Sequence, residues 1–399
     1  MPDRALARPD RFSTVLLALL LGVGLYFPTS AREIISVNLY LVTAAILLSI
    51  LMALLMRRGG VIGPAAVMNV VVINLIILIC TLFSPFTEFA YGGYIPILLI
   101  SVLFCVRVKE IPLTIAARRL FDAANVINLI LAGLLLLPAP AVTQFFLDHY
   151  AYGYDELVPY MLEEGKAVLT FGSHSLAGFF YYLLFYLNLE TYKKAPRKLN
   201  LVFAVCYLAL LVSLSSFTAL IFAGVAAVQL VLRFQWHRSP VAGFATCSLL
   251  LAAAFIAPSL QGYSDFKENL ADVWSREENG LLGRYSSTGG LSANLEFIVD
   301  HPFSPIGLGL SSQLWYSDSG PVEYLLKGSF PLLFTMYLGA FLFFYKNLRS
   351  KRRAIFLFLV FLGFEAGYSN LEYIRTQCFL PFLLVYANWL DQAPGSQNA

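Results

Sequence analysis

Apolar residues arrive along this chain in blocks of about 15 to 24, separated by short polar connections. The blocks fall near 12–29, 34–56, 61–84, 91–106, 123–141, 172–189, 199–215, 217–232, 241–258, 328–345, 354–370 and 376–390. Runs of that order carry a helix across a hydrocarbon core of about 30 Å, and a helix is the one open-chain structure that satisfies its own backbone there. The pattern predicts an all-α, polytopic integral membrane protein of about 12 transmembrane helices, a single membrane domain over residues 1–399.

Two connections are long, about 142–171 and 259–327. Within the second, Leu291, Leu295, Ile298 and Val299 recur at helical spacing, with Glu296 and Asp300 on other faces and Pro302 ending the run. A short amphipathic helix on the membrane surface is expected. The stretch Pro302 to Gly309 then demands a folded, non-helical turn. No internal repeat is visible, so the paired halves common in transporters are not indicated.

Composition agrees with lipid solvation: 59% of residues are hydrophobic and 13% charged, with mean hydropathy +0.72, whereas charged residues make up about 25% of a soluble domain. Placing the N-terminus in the cytoplasm puts 20 of the 27 Lys and Arg inside, as the positive-inside rule requires. Both termini are then cytoplasmic, both long loops extracytoplasmic, and the location the cytoplasmic (inner) membrane. The opening segment has the outline of a signal peptide, but an uncleaved first span is expected. The net charge of +3 is spread over short loops and gives no reason to expect nucleic acid. The five cysteines lie in or at the edges of blocks without paired spacing, so neither a disulfide framework nor a zinc site is indicated. Clustered His, Cys and carboxylates are missing from the external loops and no Asp-x-Asp occurs, so neither a metal nor another cofactor is expected.

Four of the seven cations placed outside, Lys267, Arg276, Arg284 and Lys327, fall in the late loop against the usual bias, which suggests a need for positive charge there. The run from Lys166 through Gly172-Ser173-His174 into a span, Ser213 to Thr218 between two spans, and a late external loop reading Gly283-Arg284-Tyr285, His301-Pro302, Gly307-Leu308-Gly309 and Asp318-Ser319-Gly320 before Gly328 opens a span together resemble the bacterial O-antigen and exopolysaccharide polymerase and O-antigen ligase superfamily. The likeness covers about residues 160–340.

That resemblance implies a C-type membrane glycosyltransferase joining polyprenyl pyrophosphate-linked glycans at the outer membrane face without metal. Its expected partners are those glycans and the bilayer, with a chain-length regulator as a further candidate. Cations aimed at a departing pyrophosphate lower the barrier, and Arg284, Lys166 and Arg276 stand where they would do so. An acceptor hydroxyl needs a base, and an oxocarbenium-like centre a carboxylate; Asp318, His301 and Glu323 are the candidates. His174, Trp315, Tyr316 and Arg375 are candidates for holding the glycan. Ligases of the superfamily carry a His followed by Asn near the position of Asp318-Ser319; its absence favours a polymerase. Lys166 stands where the family usually has Arg, which keeps the charge without two-pronged geometry.

Plainer readings stand beside each. Asp318 and Glu323 flank Gly320-Pro321, where acids suit a helix start. His301 suits a helix end, and His174 a bond to a neighbouring helix. Arg276 and Arg284 suit Glu277, Glu278 or lipid headgroups. Glu365 and Arg375, in successive spans, are expected either to pair or to line the glycan cavity. Trp315 and Tyr316 suit an interfacial belt as well as a sugar. From another class, a secondary transporter or lipid-linked glycan flippase also has about twelve spans, usually with repeated halves and several charges at mid-membrane.

Overall fold

A computed structural model of the chain describes residues 10–28, 37–89, 93–136, 140–150, 166–214, 216–233, 291–302, 305–311, 314 and 319–392. Among them the regular structure is helical, and extended pairing goes no further than isolated β-bridges. The helices are α1 (Arg11–Tyr26), α2 (Val37–Gly59), α3 (Pro64–Leu82), α4 (Tyr94–Leu103), α5 (Ile115–Leu136), α6 (Pro140–Tyr150), α7 (His174–Lys194), α8 (Lys198–Ser213), α9 (Phe217–Arg233), α10 (Ser292–Asp300), α11 (Gly320–Asn347), α12 (Lys351–Glu365) and α13 (Ile374–Leu390).

Every apolar block within the described residues has become a helix; the block at 241–258 lies outside them. Among the described residues, three helices are long and apolar enough to cross a membrane: α2 over Val42–Gly59, α3 and α11. A fourth span results if Ile115–Leu135 and Pro140–Tyr150 are one crossing bent by 119°. On α3, Met68, Leu75, Leu78, Ile79 and Leu82 are exposed, an apolar face that water would penalise and lipid would not. The block at 91–106 yields less than expected, because α4 has only 10 residues, a rise of about 15 Å. Its continuation leaves the helix to pair with the α2–α3 connection, with Ile62 N donating to Cys105 O (2.8 Å) and Arg107 N to Gly60 O (3.0 Å).

The chain divides into two compact units, one of residues 1–27, 33–123 and 282–399, the other of 28–32 and 124–281. In the second, α7 packs on α8 and α9 and is buried on nearly all sides, as a helix that is apolar all round must be. Ser173 caps its start by accepting Leu176 N–H at 3.2 Å, and Lys193 and Lys194 in its last turn suit the negative end of the helix dipole. Asn125, Asn188 and Tyr207 are buried together: Asn188 Nδ2 donates to Asn125 Oδ1 at 3.1 Å and Tyr207 O–H to the same oxygen at 3.0 Å. Amide networks of this kind fix helix register where apolar packing alone would let helices slide.

In the first unit α11 packs on α3 and α12, α1 on α13, and α10 on the early part of α11. Asn347, at the end of α11, accepts Val108 N–H at 2.7 Å and donates to Val106 O at 2.9 Å, holding the segment that follows α4. Asn388 of α13 donates to Asn347 O at 2.7 Å. Arg118 lies over the Trp389 ring, 4.8 Å from its centroid, so its charge is set against an aromatic face as the chain buries it.

Candidate functional site

The start of α11 follows from Gly320-Pro321: proline suits the first helical turn because no N–H is needed there, and Glu323 adds an acid to that turn. Two turns later the helix breaks. Gly328 (φ −153°) and Ser329 (φ +56°, ψ −162°) are non-helical, the latter in a region that glycine alone occupies without strain. Ser329 Oγ donates to Pro302 O at 3.0 Å. The break leaves the carbonyls of Leu326 and Lys327 without helical donors, and the Pro305–Gly309 turn supplies them: Ile306 N bonds Leu326 O at 2.8 Å and Gly307 N bonds Lys327 O at 3.1 Å. Gly307 has φ +58° and is so close to the end of α3 that a Cβ would sit 2.3 Å from Thr81 N. Leu308 N donates to Thr81 Oγ1 at 3.1 Å. His301-Pro302, Gly307-Leu308-Gly309 and Gly328 thus converge on one break.

An ionic cluster lies on the segment before the break. Glu323 and Lys327 are four apart on α11 and therefore share a face, and Lys327 Nζ donates to Glu323 Oε1. The same ammonium donates to both oxygens of Glu372, at 3.1 and 2.9 Å. Glu372 ends the 3-10 turn Asn370–Glu372 between α12 and α13. All three side chains are largely buried. Burial, reinforced by the charge of Glu323 and opposed by Lys327, pushes the Glu372 carboxyl up to about 8. Beside this cluster Glu365, at the end of α12, is fully buried. Its Oε1 accepts Leu371 N–H at 2.8 Å, and Tyr337 O–H reaches Oε2 at 3.4 Å. The Tyr324 and Tyr337 rings meet edge-on with centroids 5.8 Å apart.

Of the residues singled out from sequence, Glu323 sits in this cluster with its carboxylate engaged by Lys327. His301 follows α10, exposed, its ring 4.8 Å from that of Phe297; with Pro302, Leu326 and Phe330 these residues line an apolar recess of about 240 Å³. The expected pairing of Arg375 with Glu365 is not made. Arg375, fully buried, donates through Nε to Gly24 O at 3.1 Å and through Nη2 to Leu25 O. It thereby serves carbonyls that the end of α1 leaves unpaired, and Glu365 takes the neutral donors described above.

Lys166 and His174 belong to the second unit. Lys166 precedes a 3-10 turn, Leu169–Phe171, in which Leu169 has φ +48°, and Tyr181 O–H donates to Ala167 O beside it. His174 is half-buried as the first residue of α7. Arg284, Arg276, Asp318, Trp315 and Tyr316 lie outside the described residues.

Sequence reasoning missed the joint role of Lys327 and Glu372. The four-residue spacing from Glu323 to Lys327 was a usable signal, whereas Glu372 is brought in by tertiary packing alone. The arrangement can hold compensated charge in a dry setting and fix the position of the loop at the break. No protein-family model matches the chain, and neither a curated protein nor a solved structure is significantly similar to it.

Proposed function

We propose that this chain is a polysaccharide polymerase of the cytoplasmic membrane, joining polyprenyl pyrophosphate-linked oligosaccharide repeat units at the outer face by metal-independent glycosyl transfer. In this reading about twelve spans carry the chain, both termini are cytoplasmic, and the late loop is outside. An acceptor hydroxyl attacks the donor's anomeric carbon, the bond from that carbon to pyrophosphate breaks, and the hydroxyl proton passes to a base. Arg284, Arg276 and Lys166 receive the developing phosphate charge, and Asp318 or His301 takes the proton. Glu323, tied to Lys327, positions the α11 segment instead of reacting. The observation that carries the reading is the convergence of His301-Pro302, Gly307-Leu308-Gly309 and Lys327-Gly328, motif pieces spread over the late loop, on one helix break. Purified protein in nanodiscs, given polyprenyl pyrophosphate-linked repeat units and a chelator, is expected to build a ladder of lengths. Single transfer to a lipid A acceptor with no ladder would instead mark an O-antigen ligase-type enzyme.

The buried charges of Glu323, Lys327, Glu365, Glu372 and Arg375 favour a second reading, a lipid-linked glycan flippase or secondary transporter, since intramembrane ionisable groups often line transport paths. Translocation of labelled lipid-linked repeat units across proteoliposomes, without any ladder, would select it.

A further inference from the structure

Three connections meet beside the last turn of α11. Arg107 N–H bonds Gly60 O at 3.0 Å, which joins the α4–α5 connection to the one after α2. Asn347 holds the same α4–α5 connection, accepting Val108 N–H at 2.7 Å and donating to Val106 O at 2.9 Å. Lys109 is thereby brought to the α11–α12 connection, where Lys346 ends one helix and Lys351 opens the next. Lys351 folds back over Tyr345: its ammonium donates to Tyr345 O and stands 4.0 Å from the ring centroid, a face that favours a cation. Partial burial, and then the like charges of Lys109 and Lys346, hold the Lys351 pKa below the usual lysine value.

Like charges held together are unfavourable unless an anion joins them. The acids at this end are engaged elsewhere: Glu110 by Arg107 at 3.8 Å and Asp391 by Arg353 at 2.8 Å. Among the described residues Lys109, Lys346 and Lys351 make no ion pair. Lys346 and Lys351 are exposed, with exposed Arg349 and Arg352 between and beside them. Basic residues at this end agree with the topology proposed above; topology does not require that cations from separate connections act on one ammonium. Below them the surface turns apolar. Lys351, Ile355 and Leu359 are spaced by four and share one face of α12, and Ile355 is 45% and Leu359 58% exposed. Lys346 lies at the end of α11, a helix long and apolar enough to cross a membrane, so the cations stand at the depth of lipid phosphates.

We propose that Lys109, Lys346 and Lys351 bind the phosphate of an anionic phospholipid whose acyl chain lies along Ile355 and Leu359. A phosphate offers several acceptor oxygens to the three ammonium groups. The headgroup must be anionic as a whole, because a choline would return a positive charge to a place that already has three. A free phosphate would satisfy the cations but leave the apolar stripe unused, and the stripe is what selects a lipid. The site is independent of glycosyl transfer.

The test is thermal unfolding of the full-length protein in detergent at constant ionic strength, titrated with phosphatidylglycerol, phosphatidylcholine or inorganic phosphate. Phosphatidylglycerol is expected to raise the melting temperature of the wild type, and the other two are not. The triple variant Lys109→Gln, Lys346→Gln and Lys351→Gln should need about tenfold more phosphatidylglycerol, or more, for the same rise. Removing three cations of the α7–α8 connection instead, as Lys193→Gln, Arg197→Gln and Lys198→Gln, should leave the titration as in the wild type. If the triple variant does not fold, Lys346→Gln and Lys351→Gln singly must each weaken the response. The proposal is overturned if phosphatidylcholine or inorganic phosphate stabilises as well as phosphatidylglycerol. It is overturned equally if the three lysine substitutions, together or singly, leave the titration unchanged, or if the α7–α8 variant loses the response as fully.

Discussion

The Lys327 ammonium lies 2.9 Å from Glu372 Oε2, a contact 45 residues apart in the chain that ties the segment before the α11 break to the turn between α12 and α13. Because Glu323 shares the same ammonium, one cation holds two buried carboxylates. Removing it is therefore worse than removing either acid.

Above about pH 8, where Glu372 is ionised as well as Glu323, Lys327→Met leaves two uncompensated carboxylates in a dry setting and is expected to lower stability by about 3 to 5 kcal/mol. Denaturant unfolding in detergent measures this. Replacing all three, as Lys327→Met with Glu323→Gln and Glu372→Gln, should recover most of the loss, because no charge remains to be stranded. A loss below about 1 kcal/mol in the single variant would mean that solvent screens the cluster.

Glu372 also gives stability a pH dependence. Its carboxyl is raised from 4.5 to about 8, chiefly by burial, so the folded protein holds this proton more tightly than the unfolded chain does. The contribution is complete below pH 4.5 and is lost as pH rises through about 8. Melting temperature should fall across that window in the wild type, and Glu372→Gln should flatten part of the fall. A steeper fall in the variant would contradict the assignment.

The turn and the break that it supports are sensitive to single atoms. Gly307→Ala meets both a positive φ and the backbone of Thr81 and is expected to cost about 1 to 3 kcal/mol or more. At Ser329, alanine and glycine both remove the bond to Pro302, but glycine alone relieves the φ of +56°. Ser329→Gly should thus be more stable than Ser329→Ala by about 1 kcal/mol or more, read from paired unfolding curves. Equal stabilities would place Ser329 in an unstrained conformation.

If Arg284 stabilises departing pyrophosphate, Arg284→Ala should lower polymer formation by a factor on the order of 10² at normal membrane abundance. Arg284→Lys should recover only part, because charge remains without the two-pronged geometry. Lys166→Ala should combine with it non-additively if both bind one pyrophosphate. Changes below about threefold would assign Arg284 to headgroup contact, in keeping with the small value of exposed ion pairs.

Helix positions were legible from the apolar blocks. The short α10 was readable from Leu291, Leu295 and Ile298, and the turn at 305–309 from its proline and glycines, because periodicity and backbone freedom are local properties. Crossing length was less legible: α4 ends after 10 residues because its continuation pairs with Gly60 to Ile62, a contact no local pattern announces. The α11 start at Gly320 and the break at Gly328 together explain why a span beginning at 328 and a helix beginning at 320 were both readable. Partners of buried charges were the least legible. Arg375 and Glu365 looked complementary in successive blocks, yet Arg375 serves carbonyls 350 residues away and Glu365 a local N–H, because depth and azimuth around a helix decide contact where sequence shows only order.

The central claim is tested most directly by the size distribution of surface polysaccharide in cells lacking this protein. The account predicts that long chains disappear while single repeat units remain attached to their acceptor. Polysaccharide of normal length would contradict it outright, and repeat units trapped on the cytoplasmic face of the membrane would contradict it in favour of a flippase.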